Sequence, residues 1–213
     1  MLLQKNDVFL LTGDSVTDCG RDRSENNGPE TIEGMGSGYA GLVKAFLNAH
    51  YPELSLTVKN KGISGNRTPD ILNRMESDHL SLSPFLVSIL IGINDVWRHF
   101  DSPNMVQVEP DEYLANMHKI IASFKTSARQ VIVLAPFYLT EQADHPMLAM
   151  AREYGALAKQ AASENGALFV DLQAIFDELM QNAPASRYAG DGVHPNLYGH
   201  MVIAKALLDV VLK

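Results

Sequence analysis

Short runs of apolar residues alternate along this chain with longer segments in which apolar residues recur at helical spacing. Three of the short runs are apolar at almost every position, which is typical of parallel strands covered by helices on both faces. The pattern therefore predicts an α/β protein with five strands. These strands are VFLLTG (8–13), LTVKNKG (56–62), FLVSILIG (85–92), QVIVLAP (130–136) and ALFVDL (167–172).

The segments between the strands carry the signals of helices. Residues 111–128 place their apolar side chains on one helical face, and residues 195–213 are apolar enough to cover a sheet. Residues 67–80 begin with Thr68 as a predicted N-cap and Pro69 at the first helical position. The alternation of strands and helices predicts a three-layer α/β/α sandwich with a five-stranded parallel sheet of the flavodoxin-like type.

Polar motifs stand where the predicted strands end. GDS (13–15) follows the first strand, NKGISGN (60–66) the second and IGINDVW (91–97) the third, and the loop before the last helix reads GDGVHP (190–195). Ligands of doubly wound sheets bind beyond the carboxyl ends of the strands. We therefore expect these four motifs to meet in one functional site.

Three residues of these motifs have the chemistry of a nucleophile, its base and an acid that orients the base. A serine such as Ser15 is a poor nucleophile unless a base lies within hydrogen-bond reach. His194 follows Asp191 by three residues, so the carboxylate can accept from Nδ1 while Nε2 takes the proton of Ser15. For an isolated Asp-x-x-His motif, the alternative is a helix N-cap beside a surface histidine.

Acyl transfer also needs donors for the negative charge that develops on the carbonyl oxygen. The candidates are the amide N–H groups of Ser15 and Gly62 and the side-chain amide of Asn94. Taken singly, Gly62 and Asn94 have ordinary explanations as turn residues. Trp97 and Arg98 follow closely and are candidates for the wall of a substrate pocket, although packing explains Trp97 equally well.

Three other features favour structural roles. GSGYAG (36–41) matches G-x-G-x-x-G, but no strand leads into it, so we interpret it as the flexible entry to a helix over 39–49. Ser64 lacks the second glycine of a G-x-S-x-G elbow. Cys19 has no obvious base partner, so we expect a structural thiol.

Composition limits the class of protein and its partners. The 213 residues are 46% hydrophobic and 20% charged, which suits one globular domain over residues 1–213. The net charge of −8 argues against nucleic acid and membrane surfaces as partners, because both need a basic face. A single cysteine allows no disulfide within the chain and suits a reducing compartment. The chain has no apolar run of the ~20 residues that a membrane span needs, and the residues near Met1 lack the unbroken apolar core of a signal peptide. We therefore expect a cytoplasmic protein.

Taken in order, the four motifs resemble those of the SGNH or GDSL-type serine hydrolase superfamily. GDS (13–15), Gly62, GIND (92–95) and DGVH (191–194) span nearly the whole chain. The resemblance implies the SGNH hydrolase fold and an esterase that needs no cofactor or metal.

The resemblance also assigns roles to five residues. It implies that Ser15 is the nucleophile, His194 the base and Asp191 the acid that orients the base. It implies an oxyanion hole formed by Ser15, Gly62 and Asn94.

The motifs GDSVTDCGR, NKGISGN, IGINDVWR and APFY are similar to those of the intracellular acetylxylan esterases of the superfamily. This similarity implies hydrolysis of acetyl esters on xylo-oligosaccharides or related sugars, and a homo-oligomer. The chain departs from these relatives at Gly190, where they carry an aromatic residue before the catalytic aspartate. An aromatic side chain there would stack on a sugar or shape the acyl pocket.

Three alternatives stay open at this point. One is a lipase, lysophospholipase or thioesterase of the same superfamily. Another is a metal-dependent phosphoesterase that uses the acids and His194 as ligands. The last is a non-catalytic module that binds a small ligand at the strand ends.

Overall fold

Five strands form one parallel sheet in the computed structural model, which describes residues 1–213. In chain order they are β1 (Val8–Gly13), β2 (Thr57–Asn60), β3 (Leu86–Leu90), β4 (Gln130–Leu134) and β5 (Leu168–Val170). Across the sheet they lie in the order β2-β1-β3-β4-β5, which is the flavodoxin-like arrangement. The predicted fold class is confirmed, and the predicted strands differ from the observed ones only at their ends.

Nine α-helices connect and cover the strands. They are α1 (Ser15–Asp18), α2 (Ile32–Met35), α3 (Tyr39–His50), α4 (Thr68–Asn73), α5 (Ile93–Asp101), α6 (Pro110–Phe124), α7 (Pro146–Glu164), α8 (Leu172–Met180) and α9 (Leu197–Val211). Short 3₁₀ turns lie at Pro52–Leu54, Leu80–Leu82 and Ala185–Arg187, and a π-helical turn at Met75–His79. No helix combines the length and the apolar character that a bilayer crossing demands.

Two hydrophobic cores of similar size lie on opposite faces of the sheet, with 27 and 24 buried residues. Successive side chains of a strand point to opposite faces, so Leu11 joins the core with α3 and α9 while Leu10 joins the core with α6 and α7. Burial on both faces explains why the strands read as continuous apolar runs.

The start of α4 differs from the prediction. Arg67 is the N-cap, and Thr68 is the first helical residue. Thr68 is fully buried, and both its amide and its hydroxyl donate to the carboxylate of Asp95, the hydroxyl at 2.6 Å. The side chain of Thr68 therefore ties α4 to α5 instead of capping its own helix.

The sheet order places a crevice between β1 and β3. These strands are neighbours, yet β2 lies on the other side of β1, so the connections after β1 and β3 diverge. This is the switch point at which flavodoxin-like folds bind ligands. The GDS and GIND motifs follow these two strands directly.

Candidate active site

Two hydrogen bonds join Ser15 to a histidine and an aspartate that lie near the other end of the chain. Ser15 Oγ lies 3.0 Å from His194 Nε2. On the other side of the ring, His194 Nδ1 lies 2.7 Å from Asp191 Oδ2. With the Nδ1 proton directed to the carboxylate, Nε2 is left as the acceptor for the serine hydroxyl. This is the arrangement of a nucleophile, a base and an orienting acid.

Ser15 is the first residue of α1, where the chain leaves β1. Gly13 packs so closely that a Cβ atom there would lie 2.1 Å from the carbonyl oxygen of Leu90. Asp14 then caps the helix by accepting the amide of Val16 at 3.0 Å. The amide of Ser15 has no intrahelical acceptor in this first turn and is free to bind a ligand.

The Asp191 carboxylate holds both the loop before α9 and the His194 ring. Its Oδ1 accepts the amides of Val193 at 2.9 Å and His194 at 2.7 Å, while Oδ2 faces the imidazole. Burial tends to raise the pKa of Asp191, but the hydrogen bonds from His194 and Val193 outweigh it and lower the pKa below its ordinary value. Asp191 therefore stays ionised and stabilises the protonated form of the imidazole.

Gly62 follows β2 as predicted, but its amide is not free to act as the predicted oxyanion donor. It is buried, and its amide donates to the side-chain oxygen of Asn60 at 2.9 Å. A Cβ atom at Gly62 would meet the backbone nitrogen of Asp18 at 2.4 Å. Gly62 is therefore a packing residue, and its amide is not available to a substrate oxygen.

Gly65, three residues further on, has the properties expected of Gly62. It is exposed, its φ is +81°, and no atom lies within 4 Å of the place where a Cβ would stand. Its amide donates to no acceptor in the protein. Asp18 accepts both the amide and the hydroxyl of the preceding residue Ser64 at 2.8 Å, which ties this loop to the end of α1.

Asn60 and Asp18 were not singled out from the sequence, and both support this loop. Asn60 is fully buried, and its Nδ2 donates to the carbonyls of Thr17 at 2.7 Å and Met35 at 2.8 Å. The one signal for Asn60 is its position at the end of β2, and the one signal for Asp18 is its position three residues after Ser15.

Asn94 lies at the start of α5 and is almost fully buried. Its Nδ2 donates to the carbonyl of Asn66 at 3.0 Å, and its Oδ1 accepts from Arg98 Nη2 at 3.1 Å. One hydrogen of the Nδ2 group remains for a ligand. Asn94 therefore lies directly after β3 with a side-chain donor, and its role as an oxyanion donor stays a prediction.

Trp97 and Arg98 lie beside the candidate site. The Trp97 ring is half-buried, and its centroid is 5.7 Å from that of His194. The Arg98 guanidinium lies 5.1 Å from the Trp97 centroid and forms an ion pair with Asp101. Trp97 therefore contacts the base, whereas the hydrogen bonds of Arg98 go to partners within the protein.

Two buried carboxyl groups lie beneath the strand ends. Burial raises the pKa of Asp14 to about 7, although the hydrogen bond from the Val16 amide lowers the pKa. The Oδ2 atom of Asp14 has no hydrogen-bond partner. Burial also raises the pKa of Asp95 to about 6, although the hydrogen bonds of Thr68 oppose the shift. Each carboxyl thus holds its proton to a higher pH than a solvated one does.

The site is open to solvent on the side of the loop before α9. The side chains of His194 and Asp191 are 45% and 50% exposed. The neighbouring Gly190 has no atom within 4 Å of where its Cβ would stand. A cleft of about 360 Å³ lies elsewhere, between α2 and α3, and Ser15 does not line it.

Other candidate chemistry does not assemble. No group of three or more His, Cys, Asp or Glu side chains is placed to hold a metal ion. The half-buried Cys19 lies 3.9 Å from the Ser37 hydroxyl. The GSGYAG segment leads into α3, as expected.

Comparison with known proteins agrees with this geometry. The model of the GDSL-like lipase/acylhydrolase family matches residues 11–202. The acetylxylan esterase of Geobacillus stearothermophilus is 41% identical over 210 residues, which are 98% of this chain and 95% of that protein. These similarities do not favour a metal-dependent phosphoesterase or a non-catalytic module.

Solved structures show the same similarity. The crystal structure of that acetylxylan esterase has a TM-score of 0.93 and 40% identity, and the match covers 99% of this chain and 96% of that one. An α/β hydrolase enzyme from the metagenome of Lake Arreo has a TM-score of 0.94 and 37% identity, over 99% and 97% of the two chains. Other structures of the Geobacillus enzyme are of catalytic mutants in which a serine, a histidine and an aspartate become alanine. These alanines stand at positions 15, 194 and 191 of that enzyme, the same numbers as Ser15, His194 and Asp191 here.

Proposed function

Because the chain belongs to the GDSL-like lipase/acylhydrolase family, we propose that it removes acetyl groups from xylo-oligosaccharides by way of Ser15. The observation that carries the proposal is the pair of contacts from Ser15 Oγ to His194 Nε2 and from His194 Nδ1 to Asp191. The similarity to an acetylxylan esterase over 98% of the chain supports acetylated xylan fragments as the substrate.

The first half of the reaction forms an acyl-enzyme. His194 Nε2 takes the proton of Ser15 Oγ while that oxygen attacks the ester carbonyl carbon. The ionised Asp191 stabilises the imidazolium that results. When the tetrahedral intermediate collapses, the imidazolium gives its proton to the sugar oxygen, which leaves as a hydroxyl, and the acetyl group stays on Ser15.

The second half releases acetate. A water molecule enters from the open side of the site and gives a proton to His194 Nε2 as its oxygen attacks the acetyl carbon. The new tetrahedral intermediate expels Ser15 Oγ, which recovers its proton from the imidazolium. No redox step or co-reactant other than water is needed.

Three N–H groups are proposed to stabilise the oxyanion. They are the amides of Ser15 and Gly65 and the Nδ2 group of Asn94. The Gly65 amide replaces that of Gly62, which is occupied by Asn60 inside the protein. Preorganised donors of this kind contribute roughly 3–4 kcal/mol each to the stabilisation of a transition state.

The test is acetate release from acetylated xylo-oligosaccharides, measured beside p-nitrophenyl acetate and a long-chain ester. We expect wild-type protein to prefer the acetylated sugars and Ser15→Ala to lose activity on all three. The matched control is Ser81→Ala, because Ser81 is exposed and its hydroxyl bonds only to the carbonyl of Ser77. Full activity in Ser15→Ala would refute the mechanism, and Ser15-dependent activity only on the long-chain ester would refute the substrate.

The proposal also covers the domain organisation, the cellular location and the oligomeric state of the protein. One sheet runs through the chain, which supports a single catalytic domain over residues 1–213. The unpaired Cys19 supports a cytoplasmic location, since reducing compartments keep thiols free. The homo-oligomer implied by the family resemblance stays a prediction that light scattering on the purified protein would test.

A further inference from the structure

We infer that Arg98 is a positioning residue, which orients and polarises the Asn94 amide as an oxyanion donor and does not bind the substrate. The inference rests on the proposed function of the site. It starts from the contact between Arg98 Nη2 and Asn94 Oδ1 at 3.1 Å. The two residues are four positions apart on α5, so their side chains lie on the same face of the helix.

The hydrogen bonds of Asn94 fix which end of its amide faces the site. An asparagine side chain rotated by 180° has nearly the same shape, with oxygen and nitrogen exchanged. In the rotated state, Asn94 Oδ1 would face the carbonyl oxygen of Asn66, and its NH₂ group would face the Arg98 guanidinium. Two acceptor oxygens would then face each other, and so would two donor groups, and neither pair can form a hydrogen bond. The observed orientation avoids both conflicts.

Arg98 makes this preference stronger than a neutral donor would. A hydrogen bond from a charged donor is roughly twice as strong as one between neutral groups. Asn94 is only 2% exposed, so water does not compete for its oxygen. Withdrawal of electrons toward the guanidinium also makes the remaining Asn94 N–H a better donor to a negatively charged oxygen.

Arg98 is itself held in place. Asp101 pairs with Nη1 while Nη2 reaches Asn94, and the Trp97 ring lies under the guanidinium. The Arg98 side chain is only 21% exposed. A planar fork with two separate donors can serve Asn94 and Asp101 together, whereas a lysine ammonium is a compact point charge on a flexible stem.

A double-mutant cycle tests the inference through kcat and KM for acetate release. Arg98→Gln should lower kcat about tenfold to a hundredfold with KM within twofold, because the donor acts on the transition state. Arg98→Lys should fall between wild type and Arg98→Gln. In the Asn94→Ala background, Arg98→Gln should change kcat less than threefold, since the group that it positions is gone.

Controls separate this inference from loss of fold and from failure of the proposed function. Arg152→Gln is the matched variant, because Arg152 pairs with Asp177 at 3.0 Å on the surface, and its kcat should stay within twofold of wild type. Thermal unfolding of each variant reports loss of fold. If Ser15→Ala loses activity but Arg98→Gln changes kcat less than threefold, the role of Arg98 is refuted while the proposed function stands. The role of Arg98 is also refuted if Arg98→Gln still lowers kcat tenfold in the Asn94→Ala background, or if Arg98→Gln changes only KM.

Discussion

The side chain of Asn60 accepts the amide hydrogen of Gly62, and this bond turns Gly62 into the protein interior. The amide of Gly65, three residues later, remains free at the surface. One buried asparagine thus decides which glycine amide of the NKGISGN segment is bonded inside the protein.

Alanine at these two glycines should have different effects. At Gly62 a Cβ would meet backbone atoms of Asp18 and Thr17 at 2.4 and 2.7 Å, so we expect Gly62→Ala to lose about 2 kcal/mol or more of unfolding free energy. At Gly65 the space is open, so only the positive φ costs about 1–2 kcal/mol. Gly65→Ala should instead lower kcat about tenfold, because its amide shifts away from the oxyanion.

Urea unfolding and initial rates on p-nitrophenyl acetate measure both quantities in both variants. A Gly62→Ala protein with wild-type stability, or a Gly65→Ala protein with wild-type kcat, would contradict these assignments.

Asp191→Asn should abolish most activity without unfolding the loop. The asparagine oxygen still accepts the amides of Val193 and His194, but its NH₂ group forces the hydrogen of the His194 ring onto Nε2. A protonated Nε2 cannot take the proton of Ser15, so we expect kcat to fall roughly 10³–10⁴-fold, as in other triads.

Initial rates at pH 7 test the Asp191 variant against Asp209→Asn. Asp209 is an exposed aspartate paired with Lys205, so its variant should keep wild-type activity. A loss of less than tenfold in Asp191→Asn would argue against Asp191 as the orienting acid.

Asp14 makes stability depend on pH. The buried carboxyl keeps its proton up to about pH 7, whereas it ionises near 3.8 in the unfolded chain. Between these values the native state binds more protons than the unfolded state, so Asp14 makes the unfolding free energy fall as pH rises.

Asp14→Asn should remove this dependence. Its side-chain oxygen can still cap α1, and it carries no charge to bury. We expect the variant to exceed wild type by about 1 kcal/mol or more at pH 8, where one pKa unit corresponds to about 1.4 kcal/mol. Denaturant unfolding at pH 4.5 and 8 measures the difference, and an equal difference at both values would mean that Asp14 does not titrate between them.

Gly190→Trp should change recognition of the sugar and leave stability alone. Nothing lies within 4 Å of the Cβ position, so the unfolding free energy should stay within about 0.5 kcal/mol of wild type. The Geobacillus enzyme has a tryptophan directly before the aspartate of its catalytic mutants. An indole beside Asp191 offers a flat apolar face to a sugar ring, so we expect a lower KM for acetylated xylo-oligosaccharides.

Ethyl acetate, which has no sugar, is the control substrate for Gly190→Trp, and its KM should not change. An equal change in KM for both substrates would show that residue 190 acts on the acetyl side or on the fold.

Features that depend on local spacing follow from the amino-acid sequence alone. Alternating apolar runs predict the five strands, because a strand buried on both faces needs apolar side chains at successive positions. Asp191 and His194 are three residues apart in one loop, so their contact is local and could be predicted from the sequence. The polar motifs at the strand ends could be predicted in the same way. The partner of that pair, Ser15, could be placed from its position directly after β1.

Packing across the whole chain, in contrast, sets which backbone amides are left without a partner in the protein. Gly62 and Gly65 look alike in the sequence, and their difference comes from Asn60, whose rotamer is fixed by carbonyls of α1 and α2. Arg98 resembles a substrate-binding residue until its partners Asn94 and Asp101 are seen. A hydrogen bond depends on distance and angle to within a few tenths of an ångström and some tens of degrees, and packing across the chain sets these values.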